Sequence, residues 1–98
     1  MEKLFVYGTL QDPDIQKSLV GRIIFGVPAK LANYEKTTIN LGGRVYPIVR
    51  PSENKVVAGM VLDVTEQELA RFDRYETNAY RRIKAEVEGG ITVWVYSE

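Results

Sequence analysis

The 98-residue sequence contains no cysteine and no histidine. Without cysteine there is no disulfide, no thiolate nucleophile and no thiolate metal site. Without histidine, the usual general base and the commonest metal ligand are missing too. An enzyme made from this chain must move protons with a carboxylate, a lysine or a tyrosine. Long apolar runs are also lacking. None approaches the ~20 residues that a membrane span needs, and the first residues enter a strand pattern rather than a signal peptide. The expectation is a cytoplasmic protein with no membrane partner. Nor is there an excess of charge of one sign, with 13 basic residues against 13 acidic ones. Strong, non-specific nucleic-acid binding usually shows a basic excess, so no nucleic-acid partner is expected. What is present, 45% hydrophobic residues, fits one small domain over residues 1–98, burying about 65% of its unfolded surface.

Lys3 to Tyr7 is apolar at nearly every step and predicts a short buried strand. Asp12 and Pro13 read as the N-cap and first residue of a helix whose inner face is Ile15 and Leu19, closed by Gly21. Arg22 to Val27 is strand-like, with Gly26 and Pro28 marking a bulge or bend before Ala29 to Ala32 continues. Asn33-Tyr34-Glu35 predicts a corner. Lys36 to Leu41 is strand-like, Gly42-Gly43 a tight turn, and Val45 to Arg50 another strand, whose Pro47 requires an edge or bend. Pro51 to Asn54 predicts a polar turn, and Val56 to Val64 a strand with a bulge or close backbone approach at Gly59. Thr65 and Glu68 fit a capping box, opening a helix with Leu69 and Phe72 inside and its end near Tyr75-Glu76. Tyr80 to Val87 alternates, with Arg81, Ile83, Ala85 and Val87 on one face and Tyr80, Arg82, Lys84 and Glu86 on the other. Gly89-Gly90 then turns into Ile91 to Tyr96. The fold class expected is α+β, a small mixed β-barrel of about six strands with two short helices. Trp94 and Phe25 are expected in its core.

Two stretches carry the candidate chemistry. After the first strand, Gly8 allows a sharp turn, so that the N–H groups of Gly8, Thr9 and Leu10 can converge into a nest for an anion or oxyanion. An ordinary loop is the alternative. The second stretch is Leu69 to Arg82, containing Phe72-Asp73-Arg74-Tyr75-Glu76 and Tyr80-Arg81-Arg82. Together with Tyr7-Gly8-Thr9-Leu10, Tyr46-Pro47 and Gly59, in this order and spacing, it resembles the γ-glutamylcyclotransferase-like (AIG2-like) family. One position departs from that pattern, since Thr77 stands where a glycine usually follows the glutamate. The chain is also short for the family, implying little material for a lid.

The resemblance implies that Glu76 is the general acid/base. It implies that the backbone of Tyr7, Gly8, Thr9 and Leu10 holds the substrate's carboxylate and carbonyl oxygens, and that Tyr80 lines the same cavity. The implied substrate is a small γ-glutamyl amine or peptide, closed to 5-oxoproline with release of the amine. No metal or cofactor is implied. An unperturbed Glu, of pKa about 4.3, is a poor base toward an α-amine near 8. Glu76 is therefore expected in a partly apolar pocket that raises its pKa, walled by Tyr7, Tyr80 and strand side chains. The residues alone also allow plainer roles. Glu76 near Arg74, Arg81 and Arg82 suits a surface ion pair, Tyr80 a packed aromatic, and Arg71, Arg74, Arg81 and Arg82 a solvated face. Thr9 and Ser18 lack the partner base of a nucleophile, and Asp12-Pro13-Asp14 is capping chemistry. The rival function is a non-catalytic small-molecule-binding module with the same cavity.

Overall fold

A computed structural model describes residues 1–76 and 79–98. Strand β1 (Glu2–Val6) enters a single 3₁₀ turn (Thr9–Gln11), followed by helix α1 (Pro13–Val20). Strands β2 (Val27–Leu41) and β3 (Arg44–Val64) then form a long hairpin, followed by α2 (Glu66–Glu76), β4 (Arg81–Glu86) and β5 (Thr92–Ser97). One mixed sheet runs in the order β2-β3-β1-β5-β4, with β1 parallel to β5 and its other neighbours antiparallel. The sheet curls into a half-barrel. Its outer strands meet at one end, where Leu31 bridges Val87 and the Glu88 N–H donates to the Lys30 carbonyl.

β1 is the central strand, and its alternation separates two cores. Leu4 and Val6 face the helices and join Leu62, Val64, Leu69 and Phe72. Phe5 and Tyr7 point into the barrel and join Leu31, Val49, Val57, Val93 and Val95. A strand covered on both faces requires apolar residues at successive positions, as found from Leu4 to Tyr7. Ile83, Ala85 and Val87 face the barrel interior and Tyr80 the helix side, as their alternation requires.

Both helices start where their caps dictate. The Asp12 carboxylate accepts from Asp14 N–H at 2.8 Å, and Gly21 closes α1 at φ 79°. Thr65 and Glu68 cap α2 reciprocally, Thr65 N–H to Glu68 at 3.0 Å and Glu68 N–H to the Thr65 hydroxyl at 3.1 Å. Arg22 grips the same Glu68 carboxylate through two nitrogens and holds its pKa down at about 2. Replacing Thr65 with Ala is expected to cost about 1 kcal/mol, read as a lower midpoint in denaturant with an unchanged slope. An unchanged midpoint would contradict the capping role.

Four expectations need correction. First, the breaks expected inside β2 and β3 bend those strands without ending them, so the about six strands expected form as five. Asn33, in the left-handed region at φ 61°, faces the four residues 52–55 between the Ala32↔Val56 and Tyr34↔Pro51 pairs. The Pro51 to Asn54 turn is thus a wide bulge in one strand, and the bend lies at Asn33 rather than at Gly26 or Pro28. Second, residues 22–26 are irregular, since the Ile24 N–H is taken by the side chain of buried Gln16 instead of a strand. Third, Phe25 in that segment is 94% exposed, whereas Trp94 packs half-buried against the helix-side core, with Arg82 and Lys84 over its ring. Fourth, Arg82 does not belong to a solvated basic face, because it is paired with Asp73. Gly42 and Gly43, both at positive φ, form the two-residue hairpin turn that was expected. Gly59 keeps regular pairing and serves a close approach, not a bulge. Among the described residues no helix is long and apolar enough to cross a membrane.

Candidate active site

A cavity of about 670 Å³ opens where β1 ends. Its lining includes Tyr7, Gly8, Thr9 and Leu10 from the turn after β1, Glu76 from the last turn of α2, and Tyr80 before β4. All six residues singled out in the sequence therefore meet at one place. Thr77, the departure from the family pattern, lies outside the described residues.

The turn after β1 is fixed through its carbonyls. Gln11 N–H donates to Gly8 O at 3.0 Å and Asp12 N–H to Thr9 O at 2.9 Å. The Gln16 side chain donates to Leu10 O at 2.8 Å, and Lys36 donates to Tyr7 O at 3.1 Å. The N–H groups of Gly8, Thr9 and Leu10 donate to no protein acceptor among the described residues, as expected for the first amides of a helical turn. Gly8 itself lies against the β3 arm, where a Cβ would come 3.3 Å from the Pro47 ring. Thr9 Oγ1 and the Tyr75 hydroxyl, 3.5 Å apart, bring this turn to the end of α2.

α2 places Glu76 by anchoring the residues before it. Phe72 is fully buried in the helix-side core. Asp73, one turn before Glu76, accepts from Arg82 at 2.8 and 3.1 Å and from the Tyr96 hydroxyl at 2.6 Å. Tyr7 completes the wall by donating to the Tyr96 carbonyl at 2.5 Å, and Tyr80 donates to the Pro47 carbonyl at 2.6 Å. Glu76 engages in no ion pair among the described residues, so the surface-pair alternative finds no support there.

The electrostatics follow from this burial. Loss of solvent pushes the Glu76 carboxyl up to about 7. Burial, with the Glu76 charge and neighbouring phenols added, pushes Tyr80 up to about 12. Burial also drives Tyr7 and Tyr96 well above the ordinary phenol value, helped in Tyr96 by its hydrogen bond to Asp73. These three phenols stay protonated at neutral pH while Glu76 titrates there. In the folded chain Glu76 keeps its proton up to about pH 7, against 4.5 when exposed. The folded state thus binds more protons between these values, and stability falls as pH rises through about 7. Glu76→Gln is therefore expected to raise the melting temperature at pH 8, with the gain shrinking toward pH 4. A gain that is the same at both pH values would contradict the buried-acid reading.

Sequence reasoning missed several residues of this site. Gln16 gave no signal, because a polar residue on a short amphipathic helix is expected outside; it is buried and ties the β1 turn to residues 22–26. Arg44, Tyr75 and Tyr96 also reach the lining. Tyr46, which lines it as well, was visible only as part of a Tyr-Pro pair.

A half-barrel sheet with two helices, and a cavity at the end of its central strand with a carboxyl in the wall, defines a compact class of α+β domains. Within that class, the chain belongs to the family described as gamma-glutamyl cyclotransferase, AIG2-like, whose model matches residues 4–97. It is 41% identical to AIG2-like protein B of Arabidopsis thaliana over 88 residues, covering 89% of this chain and 50% of that protein. The chain spans about half the length of the curated relatives it matches. A solution structure from Arabidopsis thaliana superposes with a TM-score of 0.83 at 34% identity, covering 98% of this chain and 67% of the other. A structure named gamma-glutamyl cyclotransferase shares the fold, with a TM-score of 0.84 at 19% identity over 98% of this chain and 65% of the other.

Proposed function

We propose that the chain is a cyclotransferase, closing the γ-glutamyl group of a γ-glutamyl amine or peptide to 5-oxoproline with release of the amine. The observation that carries this reading is a carboxyl raised to about 7 in a cavity walled by aromatic and aliphatic side chains, beside three amides without protein acceptors.

The substrate's own α-amine attacks its γ-carbonyl, so both reacting groups belong to one molecule. Catalysis then needs the chain held curled, and a bound α-carboxylate supplies that constraint. Glu76, ionised, takes a proton from the α-ammonium. Its value near 7 lies about one unit below an α-amine near 8, close enough for efficient transfer. The amine then adds to the γ-carbonyl, and the N–H groups of Gly8, Thr9 and Leu10 stabilise the oxyanion. Glu76 returns the proton to the departing nitrogen as the C–N bond breaks, and the ring nitrogen's second proton passes to the released amine, which leaves as an ammonium. Tyr7 and Tyr80 serve as wall, because their hydroxyls are already donating to carbonyls.

The reading is tested by following 5-oxoproline and free amine from γ-glutamyl amino acids, γ-glutamylamines and glutathione. One-to-one release of both products from any of them supports it. No product from any of them, with ligand still binding, would make the chain a binding module.

A further inference from the structure

The cavity extends past the proposed chemistry to the tip of the β2–β3 hairpin. Leu41 and Arg44 pair directly across the Gly42-Gly43 turn, and Tyr46 follows Arg44 at i+2. Residues paired across a ladder, and those two apart along a strand, share one face of a hairpin. All three line the cavity. The two-glycine turn permits no extra residue, so it fixes the register that puts Arg44 on this face.

Charge distinguishes Arg44 from the rest of the lining. Among the described lining residues Arg44 is the one cation and Glu76 the one carboxyl; the others are aromatic, apolar, glycine or threonine. Arg44 takes part in no ion pair among the described residues. Glu76, the one lining carboxyl, makes no ion pair with it among the described residues, so a bound ligand is the source of an anion for this guanidinium. A planar guanidinium recognises a carboxylate bidentately, with a charge-assisted strength that neutral groups do not match. At about 670 Å³ the cavity falls within the range of sites that enclose a drug-sized ligand, which leaves space beyond a γ-glutamyl group.

We propose that Arg44 forms a second anion subsite that reads a carboxylate on the departing amine. This rests on the cyclotransferase reading for which end of the ligand departs. The preferred leaving group is then an amino acid or peptide with a free carboxylate, and its neutral amide or a cationic amine is disfavoured.

Binding of γ-glutamylglycine and of its C-terminal amide is measured by calorimetry in Glu76→Gln, which removes turnover. The carboxylate ligand is expected to bind roughly tenfold or more tightly, the scale of one charged hydrogen-bonded contact. Adding Arg44→Gln should erase the difference and leave the amide's affinity unchanged, while Arg44→Lys should retain part of it. Arg44 is an exposed hairpin residue, so these changes leave the fold intact. Equal binding of the two ligands, a difference that survives Arg44→Gln, or no binding of either would overturn the subsite. Discrimination in binding without 5-oxoproline release from wild type would support the subsite and sink the cyclotransferase reading instead.

Discussion

Glu76→Gln is expected to lower 5-oxoproline release by about 10²- to 10⁴-fold, the usual contribution of one positioned acid/base. The amide matches the carboxyl in size, so it keeps the cavity wall and the last turn of α2. It can neither accept the α-ammonium proton nor return one to the leaving nitrogen. The loss should therefore fall on kcat, with ligand affinity close to wild type. A structural role predicts the reverse, namely weakened binding or a melting temperature lowered at every pH. The stability test separates these cases. The variant should melt higher than wild type at pH 8, because burial holds the ordinary carboxyl up at about 7 and its ionisation costs stability above that value. A variant that is inactive yet more stable at alkaline pH has lost chemistry and kept its fold.

The second large effect concerns stability, at Gly59. A Cβ there would lie 2.6 Å from the Phe5 ring and also meet the Val6 carbonyl oxygen. Phe5 is fully buried in the barrel core and stacks beside Tyr7, with ring centroids 6.4 Å apart. The Val6 carbonyl belongs to β1 where it pairs with β3. Neither group has room to withdraw. Gly59→Ala is expected to cost about 1–3 kcal/mol through overpacking, which for a domain of this size lowers the melting temperature by several degrees or more. Because Phe5 and Tyr7 both line the cavity, ligand affinity should weaken in parallel. Calorimetric melting with and without ligand measures both. An unchanged melting temperature would show that Phe5 can move, and the close-approach account of Gly59 would fail.

Much of this was legible in the chain because the signals were local. Thr65 and Glu68 cap α2, Asp12 and Gly21 bound α1, and Gly42-Gly43 turns the hairpin, each through a few adjacent residues. The meeting of Tyr7 to Leu10 with Glu76 and Tyr80 was legible only through the family resemblance, since some seventy residues separate the two motifs. What failed was long-range. Asn33 and residues 52–55 read as two loops, but they face each other across one ladder, and pairing carries the strands through. Arg22 to Gly26 has strand composition, yet the Gln16 side chain takes the Ile24 amide and leaves Phe25 in solvent. Arg82 read as part of a basic surface, and only the fold brings Asp73 to it. Arg44 follows a turn like any other hairpin arginine; its place on the cavity depends on how the half-barrel closes.

The most direct test of the central claim is the pH profile of kcat/KM for 5-oxoproline release, run on wild type and Glu76→Gln together. The account predicts that the wild-type rate climbs through about pH 7 as Glu76 loses its proton, and that this step vanishes in the variant. A wild-type profile with no step near 7, or the same step persisting in Glu76→Gln, would contradict Glu76 as the base.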